Sequence, residues 1–203
     1  MTSSIVKAET SCYVEKWSAD TLELQNEFAR QITIPLVSEA ILVIRIIVTG
    51  GTFDKEYNEL AGELFFRDTH IPEMLAIGRS DLPVRVEKLM MLDSLHMTDD
   101  HRSTILKACV DCAESKVIIT HGTDTMEDTA KTLGAAQLNK TIVLTGAMIP
   151  YRFANSDGPF NLGASIGFVQ SLPTGVYITM NGRCFPWNRV RKNRQTGRFE
   201  SIS

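Results

Sequence analysis

Short apolar runs alternate with stretches of helical periodicity along most of the chain. The runs, rich in valine, isoleucine and leucine, occupy residues 42–48, 84–92, 117–119, 142–144 and 176–178. Runs of this length, bounded by polar and turn-forming residues, are typical of buried strands. Because strands that alternate with helices pair side by side through crossover connections, the pattern predicts an α/β domain with a mostly parallel sheet.

Capping residues and apolar spacing predict four helices, which are expected to begin near residues 20, 98, 125 and 157. The first has the form of a capping box. The second has Thr98 and two aspartates before its apolar face, and the third repeats apolar residues from Met126 at helical spacing. In the fourth, a proline stands at the start, and Phe160, Ala164 and Phe168 follow along one face.

Length, charge and hydropathy describe an ordinary single-core protein. The 203 residues fit one domain, and 21 lysines and arginines nearly balance 24 aspartates and glutamates, for a net charge of −3. This balance lacks the excess of cations on which non-specific nucleic-acid binding depends, so we expect no nucleic-acid partner. The sequence has no apolar stretch of about 18 residues and no signal peptide at its start, so we expect a cytoplasmic protein.

One basic cluster stands out between positions 189 and 198. It contains Arg189, Arg191, Lys192, Arg194 and Arg198. A charge cluster of this kind is either a solvated surface segment or an anion site, and composition does not distinguish the two.

The cysteines and histidines do not have the spacing of a metal site. Four cysteines, at positions 12, 109, 112 and 184, are too few and too scattered for a disulfide framework, which fits a reducing compartment. Cys109 and Cys112 form a CxxC motif, but they continue an apolar helical face, so core packing explains them better than a redox or zinc site. A second candidate metal set has acids that suit a helix N-terminus instead, and it comprises His96, Asp99, Asp100 and His101. We expect no metal and no other cofactor.

Three of the apolar runs end in similar polar sequences. These are Thr-Gly-Gly-Thr at 49–52, Thr-His-Gly-Thr-Asp-Thr at 120–125 and Thr-Gly-Ala at 145–147. In an open parallel sheet such loops meet at the carboxyl edge, where ligands bind. There Gly50 and Gly51 are expected to turn tightly and present N–H groups beside the Thr52 hydroxyl, as a nucleophile and oxyanion hole require. The alternatives are a plain strand-to-loop turn and, less well matched because GxGxxG is missing, a dinucleotide site.

Five motifs together resemble the L-asparaginase family. They are the strand-end sequences at 49–52 and 121–126, Gly-Ala-Met-Ile-Pro at 146–150, Asp-Gly-Pro-Phe-Asn at 157–161 and Met-Asn-Gly at 180–182. The resemblance covers residues 43 to about 200 and implies a three-layer domain with helices on both faces of the sheet. On this basis the chain divides into an N-terminal extension at 1–42, partly helical and without assigned chemistry, and an asparaginase-like catalytic domain at 43–203.

The resemblance implies hydrolysis of L-asparagine to L-aspartate and ammonia through a threonine nucleophile and a covalent acyl-enzyme. A threonine hydroxyl needs a neighbouring base or charge to become nucleophilic. In the family a tyrosine hydrogen-bonds the nucleophile, and a second threonine, an aspartate and a lysine form a hydroxyl–carboxylate–amine set. The matching residues are Thr52, Tyr57, on what resembles a mobile loop, and Thr123, Asp124 and Lys192. The sequence leaves open which threonine attacks first.

The substrate contacts that the resemblance implies come from the same loops. Ser94 matches the position that binds the α-carboxylate, Asp124 matches the partner of the α-amino group, and Gly51 and Gly122 line the substrate site. Capping of the following helix is the alternative explanation for the threonine and aspartate at 123–124. His121 is expected to orient its loop through hydrogen bonds rather than to act as a base.

The sequence also departs from the family. Phe53 and Asp54 stand where many members have a small aliphatic pair, and Leu95 stands where a glutamine often holds the substrate, so affinity and the preference for asparagine over glutamine stay open. The chain resembles the compact members without the usual second domain. Because a neighbouring subunit completes the site in larger members, we expect a homo-oligomer with a small-molecule substrate and no membrane contact. The alternative function is a module that binds an amino acid or supplies ammonia within an amidotransferase.

Overall fold

The computed structural model describes residues 42–202. The helix predicted near residue 20, Cys12 and all but the last residue of the predicted extension therefore lie outside the described residues.

A six-stranded sheet forms the centre of the described part. In chain order the strands are β1 (Ile44–Gly50), β2 (Lys55–Asn58), β3 (Glu63–Phe66), β4 (Val84–Leu92), β5 (Lys116–Thr120), β6 (Thr141–Thr145), β7 (Gly175–Met180), β8 (Arg183–Pro186), β9 (Val190–Asn193) and β10 (Arg198–Ser201). The sheet has the order β4-β1-β5-β6-β7-β8 and is parallel except where β8 pairs with β7. Strands β2 and β3 form one separate antiparallel hairpin, and β9 and β10 form another. The five predicted strands are β1, β4, β5, β6 and β7, which confirms the mostly parallel sheet.

Four α-helices connect or flank these strands. They are α1 (Ile71–Ile77), α2 (Asp99–Asp111), α3 (Met126–Ala135) and α4 (Gly158–Ser171), and two 3-10 turns occupy Thr52–Asp54 and Ser94–His96. The helices predicted to begin near 98, 125 and 157 are confirmed. Helix α1 has no counterpart in the predictions, because seven residues are too few for apolar periodicity to show clearly.

Helices cover both faces of the sheet. On β1, Ile44, Ile46 and Val48 pack with apolar residues of α1 and α4, whereas Ile47 packs on the opposite face with residues of α2 and α3. Side chains of a strand alternate between the faces of a sheet, so a strand that is buried on both faces reads as a continuous apolar run. The three-layer architecture that the resemblance implied is confirmed.

The apolar face predicted for α4 is wrong in orientation. Phe160 is 64% exposed, and the face toward the sheet is formed instead by Leu162, Ser165 and Val169 together with the smaller residues beside them. Residues spaced by four drift by about 40° per step around a helix with 3.6 residues per turn. The spacing of Phe160, Ala164 and Phe168 therefore did not distinguish the buried stripe from its neighbour.

The CxxC cysteines are buried and unbridged at the C-terminal end of α2. Burial raises the pKa of the Cys109 thiol to about 12, which keeps it protonated and unreactive. Among residues 42–202, no three or more histidine, cysteine, aspartate or glutamate side chains are grouped to hold a metal ion. His101 instead accepts a hydrogen bond from the Thr98 backbone N–H at 3.0 Å at the start of α2. None of the described helices is long and apolar enough to cross a membrane.

Candidate active site

The three similar polar sequences follow β1, β5 and β6, which are neighbours in the sheet. Threonines at the ends of these strands tie the edge together. The Thr49 hydroxyl donates to the Thr120 carbonyl at 2.7 Å, and the Thr145 hydroxyl donates to the Thr179 carbonyl at 2.9 Å. All four residues are buried, so these threonines hold the framework from which the loops extend.

Two glycines allow the backbones of three loops to touch. Gly51 has φ 77°, and a Cβ placed on it would lie 2.4 Å from the Gly122 nitrogen. A Cβ placed on Gly122 would lie 2.4 Å from the Ser94 Oγ. Any side chain at either position would force the loops apart. The expectation that Gly51 offers its N–H to a ligand is wrong, because that N–H donates to the Leu92 carbonyl at 3.0 Å. Gly51 shapes the site by close packing.

The two candidate nucleophiles follow these glycines directly. Thr52 begins the 3-10 turn after Gly51 and is half-buried, and Thr123 follows Gly122 and is buried. Given the contact of the glycines and the spacing of successive Cα atoms, the Cα atoms of the two threonines are at most about 12 Å apart. Within the described residues the Thr52 hydroxyl has no hydrogen-bond partner, so it is available to a ligand.

Lys192 contacts both the Thr123 hydroxyl and the Asp124 carboxylate. Lys192 Nζ lies 2.8 Å from Thr123 Oγ1 and 2.8 Å from Asp124 Oδ1, and its side chain is only 8% exposed. Strand β9 supplies the lysine, and the lysine's backbone N–H donates to the Glu127 carboxylate in the first turn of α3. The capping explanation for Thr123 and Asp124 is wrong, because the N-cap of α3 is the following residue and both side chains instead bind the amine.

The buried amine sits between one neutral and one charged acceptor. A buried ammonium needs a carboxylate partner and satisfied N–H groups, and Asp124 and Thr123 provide both. A chain of hydroxyl, amine and carboxylate in hydrogen-bond contact can pass a proton. Two other members of the basic cluster have partners of their own: Arg191 pairs with Glu200 at 3.6 Å, and Arg194 donates to the Asp124 carbonyl at 3.4 Å. Lys192 is the member of the cluster whose side chain contacts Thr123 and Asp124.

Ser94 presents an unpaired hydroxyl next to this cluster. It is 1% exposed, and among residues 42–202 its Oγ has no hydrogen-bond partner. The loop is held in place by the Thr125 hydroxyl, which donates to the Ser94 carbonyl at 2.9 Å, and by Asp93, which accepts from the Leu95 N–H. A buried hydroxyl without a partner is rare and costly, so this atom points to a ligand. Leu95 itself is largely exposed.

The structure does not place Tyr57 in contact with Thr52. It lies on β2, opposite Leu64 of β3, and 55% of it is exposed. Within residues 42–202 its hydroxyl makes no hydrogen bond to Thr52. The segment is a β-hairpin rather than the loop that the resemblance implied. The hydrogen bond expected for this pair requires a different position of the hairpin.

His121 is enclosed completely and is neutral. Its Nδ1 donates to the Gly122 carbonyl at 2.7 Å, which leaves Nε2 to accept from the Thr129 hydroxyl at 2.7 Å. Desolvation by burial lowers the pKa of His121 to about 4. These contacts agree with the expectation that this histidine orients its loop.

Several residues that shape the site were not predicted from the sequence. Lys55 forms an ion pair with Asp93, which links β2 to the Ser94 loop. The buried Asn161 donates to the Gly146 carbonyl at 2.9 Å and accepts from the Asn181 N–H at 2.9 Å, which joins the loops after β6 and β7. These pairs are 15 to 38 residues apart in sequence, and no local pattern predicts them.

A doubly wound α/β domain with converging polar loops at the carboxyl edge belongs to the class whose ligand site lies at that edge. Comparison with known proteins identifies the particular family. The asparaginase N-terminal domain model matches residues 43–203, and the chain belongs to the asparaginase family.

Individual relatives agree with this assignment. The chain is 29% identical over 165 residues to L-asparaginase of Thermococcus kodakarensis, which covers 78% of the chain and 50% of the relative. It is 30% identical over 176 residues to L-asparaginase 2 of Escherichia coli, which covers 79% and 49%. The solved structure of the thermostable L-asparaginase from Thermococcus kodakarensis superposes with a TM-score of 0.71 at 28% identity, over 79% of this chain and 51% of that one. The chain thus spans about half the length of these relatives.

Proposed function

We propose that the protein hydrolyses L-asparagine to L-aspartate and ammonia, with Thr52 as the nucleophile and a covalent acyl-enzyme as the intermediate. The observation that carries the proposal is the buried Lys192 amine, held 2.8 Å from both the Thr123 hydroxyl and the Asp124 carboxylate. Membership of the asparaginase family and the similarity to enzymes named L-asparaginase support the choice of reaction and substrate.

The proposed reaction has two steps. In the first, the Thr52 oxygen attacks the side-chain carbonyl carbon of asparagine, the C–N bond breaks, and ammonia leaves with the proton that the hydroxyl gave up. In the second, water attacks the resulting ester, aspartate leaves, and the Thr52 oxygen regains a proton. The Thr123–Lys192 pair is the proton carrier in both steps. Asp124 stabilises the ammonium that Lys192 forms while it holds the proton.

The choice of Thr52 over Thr123 as the nucleophile rests on their partners. The Thr123 oxygen accepts a hydrogen bond from Lys192, whereas the Thr52 hydroxyl is half-buried and unpaired among the described residues. A nucleophile has to reach the substrate, and a proton carrier has to contact the amine. Each threonine therefore fits one role.

Substrate recognition is assigned to the groups around the two glycines. The unpaired Ser94 hydroxyl would donate to the α-carboxylate of the substrate, and Asp124, whose side chain is 35% exposed, would accept from the α-amino group. Gly51 and Gly122 would form the wall of the pocket by their backbones. Tyr57 would reach Thr52 when the β2–β3 hairpin moves toward the substrate.

The first test is ammonia release from L-asparagine and L-glutamine by the purified protein. We expect release from asparagine by the wild type and loss of at least about 100-fold in the Thr52→Ala variant. The matched control is Thr104→Ala, at an exposed position on α2, which should keep full activity. Mass spectrometry of the Thr123→Ala variant with substrate should show an ester on Thr52.

Two outcomes would contradict the proposal. Turnover by a folded Thr52→Ala protein at the wild-type rate would exclude Thr52 as the nucleophile. Absence of ammonia release from both amides in the wild type would favour a binding or ammonia-supplying role in a larger complex.

The domain division, oligomeric state and location are further parts of the proposal. Residues 43–203 would form the catalytic domain, with 1–42 as an extension, because the family match covers that range. A homo-oligomer is supported by exposed apolar side chains beside the loops of the site, at Met148, Phe153 and Phe160. A cytoplasmic location is supported by the free cysteines at 109, 112 and 184. Sedimentation of the active protein and cell fractionation test these points, and a monomer with full activity would contradict the oligomer.

A further inference from the structure

A second cluster of charged residues lies beside the Thr52 turn, apart from the lysine site. It joins four segments around one imidazole, that of His70, directly before α1. His70 Nε2 lies 2.9 Å from Glu56 Oε1 on β2, to which it donates when it carries the ring proton, and Arg152 in the loop after β6 pairs with the same Glu56 oxygen at 3.8 Å. The His70 backbone N–H donates to Asp54 Oδ1 at 2.9 Å, and the ring Nδ1 lies 3.7 Å from the same oxygen. Outside this cluster, Arg152 also pairs with Glu73 at 3.3 Å.

This cluster is buried without being fully paired. Asp54 is wholly inaccessible, and the His70 side chain is 4% exposed. Asp54 Oδ2 and His70 Nδ1 both lack hydrogen-bond partners in the part of the chain that the structure describes. Burial raises the pKa of Asp54, against the opposing hydrogen bonds from the His70 N–H and the Thr69 hydroxyl. A pair of apolar side chains would fill this space at a lower desolvation free energy, so stability alone does not account for these residues.

The cluster connects the two parts of the proposed nucleophile site. Asp54 ends the 3-10 turn that Thr52 begins, and Glu56 directly precedes Tyr57 on β2. Within residues 42–202 the β2–β3 hairpin pairs with no other strand, and a two-stranded hairpin is barely stable by itself. Its position depends on side-chain anchors at its base, of which His70–Glu56 is one and the Lys55 ion pair is another.

We propose that His70 is a positioning residue that holds the base of the Tyr57-bearing hairpin against the Thr52 turn, so that the rest of the hairpin moves toward the substrate about a fixed base. One imidazole contacts the carboxylate of β2 at Nε2 and faces the carboxylate of the Thr52 turn with Nδ1. A displacement of the hairpin base or of the Thr52 turn therefore breaks or strains a contact of the same ring. For its effect on turnover the inference rests on the proposed function, but its effect on the hairpin does not.

The experiment compares hydrogen–deuterium exchange and kinetics in two variants and their controls. His70→Leu removes the ring, and Glu56→Gln removes the charge at the hairpin end without touching the buried side of the cluster. The controls are His96→Leu, at an exposed histidine, and Glu73→Gln, at the outer partner of Arg152. Exchange is measured on the protein without substrate, and kcat and KM are measured with L-asparagine.

We expect amide exchange in residues 55–66 to accelerate about tenfold or more in both variants, as the loss of one charge-assisted hydrogen bond predicts. Exchange in β1, β5 and β6 should stay within about twofold of wild type, and both controls should match wild type throughout. We expect kcat to fall about tenfold while KM changes less than about threefold, because the Ser94 pocket is untouched. The His70→Gln variant, whose amide can still reach Glu56, should recover most of kcat.

The outcomes separate this inference from the proposed function. Unchanged exchange of the hairpin in both His70→Leu and Glu56→Gln would overturn the positioning role, and so would acceleration spread evenly through the sheet. Equal effects on KM and kcat, or no rescue by glutamine, would also overturn it. If the wild type releases no ammonia, the proposed function fails, while hairpin-specific exchange would still support the anchoring role of His70.

Discussion

The enclosed histidine in the loop after β5 predicts a specific loss of stability in acid. Residue His121 is neutral in the folded protein because burial lowers its pKa to about 4, from the ordinary histidine value of 6.5. As the pH falls below 6.5, His121 binds a proton in the unfolded chain but not in the folded protein. The contribution of the neutral ring to the free energy of unfolding is therefore complete above pH 6.5 and is lost between pH 6.5 and about 4.

The size of the effect follows from the difference between the two pKa values. At about 1.4 kcal/mol per pH unit, the interval between 6.5 and about 4 corresponds to roughly 3 kcal/mol over the whole range. Between pH 7.5 and 4.5 the same relation gives a loss of roughly 2–3 kcal/mol. Carboxylates also lose favourable contacts in acid, so the contribution of His121 has to be measured as a difference between proteins.

The assay is urea unfolding of the wild type and of His121→Gln at pH 7.5 and 4.5. Glutamine stays neutral at both values, so the wild type should lose roughly 2–3 kcal/mol more than the variant over this interval. His96→Gln, at an exposed histidine, is the control and should follow the wild type. The reasoning is refuted if wild type and His121→Gln lose equal stability. Because the ring is assigned to loop orientation, His121→Gln should also keep measurable turnover of asparagine.

Three further predictions concern the site. The Lys192→Met variant should lower kcat for L-asparagine at least about 100-fold with an unchanged circular dichroism spectrum, because it removes the proposed proton carrier; steady-state kinetics at the wild-type rate would contradict this. The Gly122→Ala variant places a Cβ 2.4 Å from the Ser94 Oγ, so KM should rise about tenfold or more, and an unchanged KM would exclude the proposed carboxylate pocket. The Lys55→Met variant breaks the ion pair with Asp93, and calorimetry should show a loss in Tm of a few degrees, since the pair is largely buried; an unchanged Tm would mean that the pair does not anchor the hairpin.

The central sheet could be predicted because its signals are local. Strands that are buried on both faces leave continuous apolar runs, and capping residues mark the helices that follow. Both hairpins and β8 were not predicted, because strands of four residues carry no clear alternation. The orientation of α4 was wrong for a related reason: two neighbouring stripes of the helix both carry small or apolar residues, and only the sheet decides which one is buried.

The candidate site was predictable to the extent that each residue lies in a motif. Thr52, Gly122 and Thr123 follow strands, and their meeting at one sheet edge follows from the parallel topology. Lys192 is 69 positions from Thr123, and its contact with that residue came from resemblance alone. The free N–H assigned to Gly51 was wrong because a bulge between β1 and β4 lets the Leu92 carbonyl take it. Whether this N–H is free therefore depends on the register of a neighbouring strand.

The two halves of the site differ in how firmly the fold holds them. The Thr123–Lys192 half is buried and is tied to the sheet by β9, α3 and the neutral His121. The Tyr57 half is carried on an exposed hairpin with few anchors. A proton carrier must keep fixed distances through both steps, whereas a group that closes over the substrate must also open to release the product. The unequal rigidity of the two halves is therefore what the proposed reaction requires.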